Sequence, residues 1–565
     1  MLADASCRVA VADASCVRCT VSTPTPSSAA GRRAAARPPR EPVVSLVDLG
    51  GRSPWSVLPP LCLGFFMIMV DTTIVNIAVP TLVRTFDADL TSVGWVNSAY
   101  LLTFAVLLLV TGRLGDRYGP KRVFVVGLVV FTVSSLACGL AGSIGQLVVA
   151  RAVQGVGSAL MTPQTMSMIA RVFPPARRGA AMGVWGSVAG VATITGPVLG
   201  GLFVETVGWE WIFFVNIPVG VVALWLAVTR LPRLDTHTRR LDGVGVVLSV
   251  VGMFLLVFGI QEGETFDWGT IAGPLTVWGA IALGAIVLTV FVLWQRRLGA
   301  DALLPLSLFR HRNFSLANVA GAVSSFAMIG IFFPLTLFLQ QVLGLSPLQA
   351  ALVNLPGSLV SGLVAPLAGR LSDRYPGKWV VATGFALLTA SVSWLVLVVE
   401  PGQAVWMLYL PMVVFGFGTG FLFSPLANLA TSGLDQRTAG AGAGAFNMFR
   451  QVGGVIGSAA IVSTLTSRLG TTIPQAARDA AASLPDDARE AFLGALGQAR
   501  PADLAEGTLR LPTGIPADVA EQVQRVATEA VHAGFATAVA QTLLLAVAVL
   551  VVGVLSAVAM RARAE

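Results

Sequence analysis

Apolar runs of roughly 20 residues recur along the chain from Leu58 to Met560, each long enough to cross the ~30 Å hydrocarbon core of a bilayer. No water reaches the backbone there, so each run must satisfy its own hydrogen bonds, which a helix does within one segment. Soluble domains carry about 25% charged residues. This chain carries 12%, with 55% hydrophobic residues and mean hydropathy +0.78. At ~150 residues per soluble domain, 565 residues would suggest about four domains. The apolar runs exclude that reading, and with it a disordered chain, a nucleic-acid-binding domain and a soluble enzyme. The expected fold class is an all-α polytopic membrane protein.

Fourteen spans are expected, near 57–80, 92–112, 121–141, 144–169, 179–203, 211–229, 242–260, 271–294, 314–339, 348–369, 379–399, 404–429, 440–466 and 533–560. The basic residues test that count. With the N-terminal tail inside, 28 of the 37 Lys and Arg residues fall in inside segments, seven in outside loops, and Arg151 and Arg450 within spans. Six of the outside seven share one long loop, 467–532, and long loops are translocated largely regardless of charge. Such a bias requires an even number of helices, with both termini cytoplasmic. The long loop also holds nine acidic residues, a helix cap at Ser483 with Asp486 three residues on, and an amphipathic stretch from Asp518 to Val531. It reads either as a solvated linker or as a lid over the outer mouth.

Residues 1–52 are rich in Ala, Arg, Ser and Pro and lack the apolar stretch of a secretory signal, so a disordered cytoplasmic tail is expected. Lys occurs only at Lys121 and Lys378; together with the excess of Ala and Gly, this suggests a bacterium with a high-GC genome. Five Cys make no disulfide framework for a chain of this size. Cys62 and Cys138 lie in apolar runs, and Cys7, Cys16 and Cys19 have no His nearer than His237, so no metal site is expected. A phosphate loop is absent, since Lys121 precedes Arg122 and Lys378 precedes Trp379. The three histidines, His237, His311 and His532, lie at loops or loop edges. Neither enzymatic chemistry nor a cofactor is expected.

One heptapeptide occurs twice. Gly112-Arg-Leu-Gly-Asp-Arg-Tyr118 returns as Gly369-Arg-Leu-Ser-Asp-Arg-Tyr375, identical at six of seven positions. Each copy follows the second helix of a six-helix set, on the inside. Parallel structural repeats of this kind build transporters that handle substrate between their halves. The expected domains are a tail at 1–52, an N-terminal six-helix bundle at 53–230, a two-helix insert at 231–313 and a C-terminal six-helix bundle at 314–565 that includes loop 467–532. Within the repeats, Gly112 and Gly369 let helices approach closely. Asp116 and Asp373, with Arg113, Arg117, Arg370 and Arg374, offer charge-assisted contacts whose breaking and remaking can bias the inside-open against the inside-closed state. Enforcing topology is the plainer role for the same charges.

Gly112–Arg122 resembles the loop signature of the major facilitator superfamily, and fourteen spans resemble its EmrB/QacA-type drug:proton antiporters. The likeness covers about 55–466 and the last helix. Asp71-Thr-Thr-Ile-Val-Asn76 to Pro80 is similar to the first-helix motif, and Arg151-Ala-Val-Gln-Gly155 to the fourth-helix motif. Gly196-Pro197 with Gly200-Gly201 resembles the antiporter motif of helix 5, with Ala192 standing where that motif has Gly. Asn447 to Gly454 resembles a stretch of helix 13. The resemblance implies two six-helix bundles plus a two-helix insert, and export by antiport.

Of 29 acidic residues, only Asp71 lies well inside a span. A carboxylate in hydrocarbon costs several kcal/mol, which makes it a functional-site hypothesis by default. Counting ~1.5 Å per residue, Asp71 lies about 14 Å below the outer end of its helix and Arg151 about 9–10 Å below the same surface. Asp71 is expected to carry the coupling proton and Arg151 to tune it; a static lock between helices 1 and 4 is the alternative. Arg450, ten residues into helix 13, faces either an anionic or polar part of the substrate or backbone carbonyls. Asn76, Trp95, Tyr100, Trp185 and Arg450 are the substrate-cavity candidates. Apolar walls with few polar anchors suit bulky amphipathic molecules, and one interior acid beside two arginines disfavours a dedicated dication pump. The partners expected are therefore a small amphipathic substrate, protons and the lipid bilayer, with no nucleic acid and a monomeric chain. A lipid or siderophore transporter of the same fold and a non-transporting sensor or scaffold remain as alternatives.

Overall fold

In the computed structural model, residues 52–482 and 517–562 are described, together with 484 and 489 and apart from 89, 235, 237–241, 264, 267, 300–301, 432–433 and 435–437. The tail at 1–51, the cap at Ser483 and Asp486, and the middle of the expected long loop lie outside the described residues.

The first half comprises α1 (Leu58–Phe86), α2 (Leu90–Tyr118), α3 (Pro120–Gly139), α4 (Ile144–Val172), α5 (Pro175–Thr206), and a sixth pass split into α6 (Trp211–Phe214) and α7 (Asn216–Arg230). The insert is α8 (Gly243–Gln261) and α9 (Val277–Leu298). The second half comprises α10 (Arg312–Leu337), α11 (Pro347–Val353), α12 (Leu355–Arg374), α13 (Gly377–Val398), α14 (Tyr409–Thr431), α15 (Ala439–Ala481) and α16 (Ala517–Ala559). Prolines in the first turn of α3, α5, α11 and α12 start helices where a missing N–H costs nothing. Ser143 caps α4, and Ser346 with Gln349 forms a capping box on α11.

Among the described residues, thirteen helical stretches are long and apolar enough to cross a membrane. The remaining pass is α11–α12, interrupted at Asn354. It is less apolar because its end is the second heptapeptide, with Arg370, Asp373 and Arg374. The main departures from expectation lie at the ends of elements. The span expected at 440–466 continues unbroken to Ala481, and the one expected at 533–560 starts at Ala517. Loop 467–532 is thus largely helix at both ends, and the amphipathic stretch from Asp518 belongs to α16. The two helices pack together beyond their apolar segments, where Thr472 Oγ1 donates to Gly534 O at 2.7 Å and Ile473, Ala477, Ala527, Ala530 and Val531 are buried. A two-stranded antiparallel hairpin, Thr270–Ala272 with Leu275–Thr276, joins the insert helices and is the one non-helical regular element among the described residues.

The repeat extends to packing. In the first half α2 packs on α4, α3 on α4, α1 on α5, and α7 on both α1 and α3. In the second half α12 packs on α14, α13 on α14, α10 on α15, and α16 on both α10 and α13. These are the same five pairings. Between the halves the main contacts are α5 with α12 and α2 with α15, again an equivalent pair. The insert helices pack on each other, and α8 leans on α2 and α15. Asp242 fastens the insert: it caps α8 at Gly245 N (2.8 Å) and accepts from Trp294 Nε1 (3.0 Å) and Gln295 Nε2 (2.7 Å) of α9.

Candidate functional site

Asp71, on α1, and Arg151, on α4, are each fully buried and form an ion pair through Arg151 Nη1 and Asp71 Oδ2. Arg151 Nη1 also donates to Gln154 Oε1 at 2.8 Å, and its Nε donates to Val96 O of α2 at 3.0 Å. The other carboxylate oxygen accepts from Gln154 Nε2 at 2.9 Å and Asn216 Nδ2 at 3.4 Å. Asn216 reaches Ser135 Oγ on α3 at 3.1 Å. The guanidinium carbon stands 4.2 Å from the centre of the Tyr100 ring, whose hydroxyl pairs with Ser158 at 2.8 Å. Five passes of the first half therefore converge on one carboxylate. Burying two charges is tolerable only when the pair is close and hydrogen-bonded; Gln154 and Asn216 complete the carboxylate, while Arg151 Nη2 stays buried without a hydrogen-bond partner.

Sequence reasoning placed Asp71 and Arg151 at similar depth and the structure brings them together. It missed Gln154, Asn216, Ser135 and Ser158. Gln154 carried a usable signal, since it follows Arg151 by three residues and so shares its helix face. Asn216 carried none, because nothing local says that the start of α7 points at α1.

The two heptapeptides lie where the halves touch, at the end of the bundle that carries the arginine-rich loops. Asp116 accepts Arg171 Nη2 at 2.7 Å and the backbone amides of Gly440 (3.0 Å) and Ala441 (2.9 Å), at the start of α15. Asp373 accepts the amides of Gly179 (2.7 Å) and Ala180 (2.9 Å), near the start of α5. Asp116 thus clasps the first turn of α15, where free N–H groups and the helix dipole favour negative charge, and Asp373 the second turn of α5, each in the opposite half. Gly112 and Gly369 make this possible. A Cβ on Gly112 would lie 2.5 Å from Gly440 O, and one on Gly369 would collide with Gly179 O. Arg113 is buried, Arg117 lies 5.3 Å from the Tyr118 ring centre, and Arg370 and Arg374 are exposed.

In the antiporter-like stretch of α5, Gly196 presses on Thr73, two residues from Asp71, and Gly200 on Ile74 and Ile77. Nothing lies within 4 Å of where a Cβ on Gly201 would be, so that glycine makes no close contact. Pro197 sits within the helix, half-buried. Ala192 is fully buried. Below these residues α5 turns to the other half, with Gly183 against Ala365 and Pro366 and Gly190 against Ser358 and Gly362.

The cavity candidates lie in different places. Trp95 packs against Phe258 of α8, ring centres 5.8 Å apart, so it faces the insert. Tyr100 belongs to the charge cluster. Both residues lie on α2, a helix apolar on several sides, where periodicity does not say which side meets which neighbour. Asn76 is exposed and accepts from Asn97 Nδ2 at 3.3 Å. Trp185 is buried, stacked on Phe65 at 4.2 Å. Arg450 is half-buried on α15.

Two helical halves with one packing plan, meeting through equivalent helix pairs and holding a buried charge cluster, define a membrane transport protein rather than an enzyme. The family model of the Major Facilitator Superfamily matches residues 61–458. An uncharacterized MFS-type transporter of Mycobacterium tuberculosis is 45% identical over 456 residues, covering 79% of this chain and 78% of that protein. The tetracenomycin C resistance and export protein of Streptomyces glaucescens is 34% identical, covering 77% of this chain and 80% of its own. Among solved structures, the human organic anion transporter MFSD10 matches with TM-score 0.55 and 13% identity, over 88% of this chain and 100% of that one, a likeness of fold alone. The chain belongs to the major facilitator superfamily and is a multi-pass membrane transporter.

Proposed function

We propose that this transporter exports amphipathic drugs, antibiotics or secondary metabolites across the cytoplasmic membrane in exchange for protons, with its arginine-rich end in the cytoplasm. The observation that carries the reading is Asp71, the single acidic residue deep within a span, held by Arg151, Gln154 and Asn216. The tetracenomycin C relative, whose printed name says export, supports the direction.

With Asp71 charged, the cluster is neutral overall and α1, α4 and α7 are tied together. A proton arriving from the outer side removes the negative charge. Arg151 then keeps only neutral acceptors, Gln154 Oε1 and Val96 O. Losing one partner of a buried pair costs about 3–5 kcal/mol, so protonation favours a rearrangement in which water reaches the site. The clasps at Asp116 and Asp373 hold the cytoplasmic end shut in the present state. Parting them opens the cleft inward, where the proton leaves and substrate enters. Each pH unit of gradient supplies about 1.4 kcal/mol per proton.

A substrate panel in everted vesicles, with an imposed pH gradient, tests this for the wild type and Asp71→Asn. Gradient-driven flux should be lost in the variant. Equal coupling in both proteins sinks the assignment.

A further inference from the structure

Among the described residues, Arg151 and Arg450 are the arginines that lie in the apolar middle of a membrane helix rather than towards its ends, and their surroundings differ. Arg151 has its carboxylate, whereas Arg450 makes no hydrogen bond and no ion pair with any described residue. An interior guanidinium without a counter-charge costs several kcal/mol, and it is worth asking what the fold holds it ready for.

The faces of α15 answer where it points. Gly440 and Gly444 press on Gly112 and Leu108 of α2, and Gly453 and Gly457 on Ala322 and Phe326 of α10. Ile456, 44% exposed, marks the side away from the protein. At about 100° per residue, Arg450 falls in the gap between the α2 and α10 contact lines, roughly 120° from Ile456. Asn447 and Gly454 share that face. Asn447 reaches the first half, its Nδ2 standing 3.3 Å from Met166 Sδ of α4, so the face looks into the space between the halves. Asn447 Oδ1 is buried without a partner. One turn beyond Arg450, a Cβ on Gly454 would meet nothing nearer than Ile329 Cδ1 at 3.5 Å and Ser325 Cβ at 3.7 Å. In the opposite half Trp185 lies at a matching height, about 15 Å along α5 against about 17 Å for Arg450 along α15. Its Nε1 is also buried without a partner.

We propose that Arg450 anchors an anionic group of the exported molecule, so that the preferred substrates are amphipathic organic anions. The planar guanidinium offers two parallel donors to a carboxylate, sulfonate or phosphate. In a low-dielectric cleft its unbalanced charge also repels cations. This assignment rests on the export reading above.

The test uses the full chain in proteoliposomes under a pH gradient, with three probes. These are 8-anilinonaphthalene-1-sulfonate, its uncharged scaffold N-phenyl-1-naphthylamine, and the cation ethidium. Gradient-driven flux is measured above the Asp71→Asn background. The wild type should favour the sulfonate over the uncharged scaffold by about tenfold or more, the factor that 1.4 kcal/mol of discrimination gives. Arg450→Gln should lower that ratio at least as far, and Arg450→Lys should restore part of it. A wild-type ratio at or below one overturns the assignment even if the variants fail to fold. So does an unchanged ratio in a monodisperse Arg450→Gln protein. Absence of gradient-driven flux for all three probes overturns the export reading itself, and is distinguished in that way from loss of anion preference alone.

Discussion

Replacing Asp373 with Ala removes a contact that exists only while the halves are closed at the arginine-rich end. The carboxylate accepts two amide hydrogen bonds from the other half, at 2.7 and 2.9 Å. A hydrogen bond to a charged group is worth about 1.5–3 kcal/mol net when buried. Asp373 is half-buried, so the two bonds together are discounted to about 2–3 kcal/mol, below the roughly 3–6 that two fully buried ones would give. At 1.4 kcal/mol per decade this shifts the equilibrium roughly 30- to 150-fold toward the parted state. An equilibrium lying at 99:1 closed would become comparable in both states. Pulsed electron-paramagnetic-resonance distances between spin labels at Arg230→Cys and Tyr375→Cys, on a cysteine-free background, report this directly. Both positions are exposed and belong to opposite halves. The parent should give one short distance, and Asp373→Ala should add a longer component of similar weight. Asp116→Ala should shift the balance further, because it also strips Arg171 of a buried partner. An unaltered distance distribution in a folded Asp373→Ala protein would refute the clasp.

Gln154→Leu should destabilise the first half by about 1–3 kcal/mol, since Asp71 loses one donor and Arg151 one acceptor. The fraction remaining monodisperse after a heating series checks this, and parity with the parent would count against the network. Gly196→Ala should cost about 1–3 kcal/mol by overpacking against Thr73, whereas Gly201→Ala should be tolerated because no atom stands near its new methyl group. The same heating series ranks the two, and the reverse order would contradict the packing of α5 on α1.

Much of this arrangement was legible in the residues. Helix count and the repeat follow from chemistry that is local or translational, namely stretches of apolar residues, basic loops and one peptide written twice. The Asp71–Arg151 pair was legible because depth can be counted along a helix and hydrocarbon leaves few charges to consider. What stayed hidden depends on azimuth. A helix apolar on most sides gives a weak periodic signal, so Trp95 facing the insert and Asn216 facing Asp71 could not be read. Asp116 reaching the start of α15 rather than its own half was hidden for another reason. Its partners there are backbone amides, which have no residue identity to find. The extension of α15 to Ala481 was obscured because its polar turns look like loop once the apolar run ends.

That extension has mechanical consequences. A helix of 43 residues is about 65 Å long, while a bilayer with its headgroups is ~40–45 Å thick. Paired with the early turns of α16, it stands as a two-rod mast roughly 20 Å tall on the arginine-poor side. The mast belongs to one half only, so any tilt of that half is magnified at its tip, the way a small turn of a tiller swings its far end. Antibodies or labels placed there would read the motion from outside the lipid.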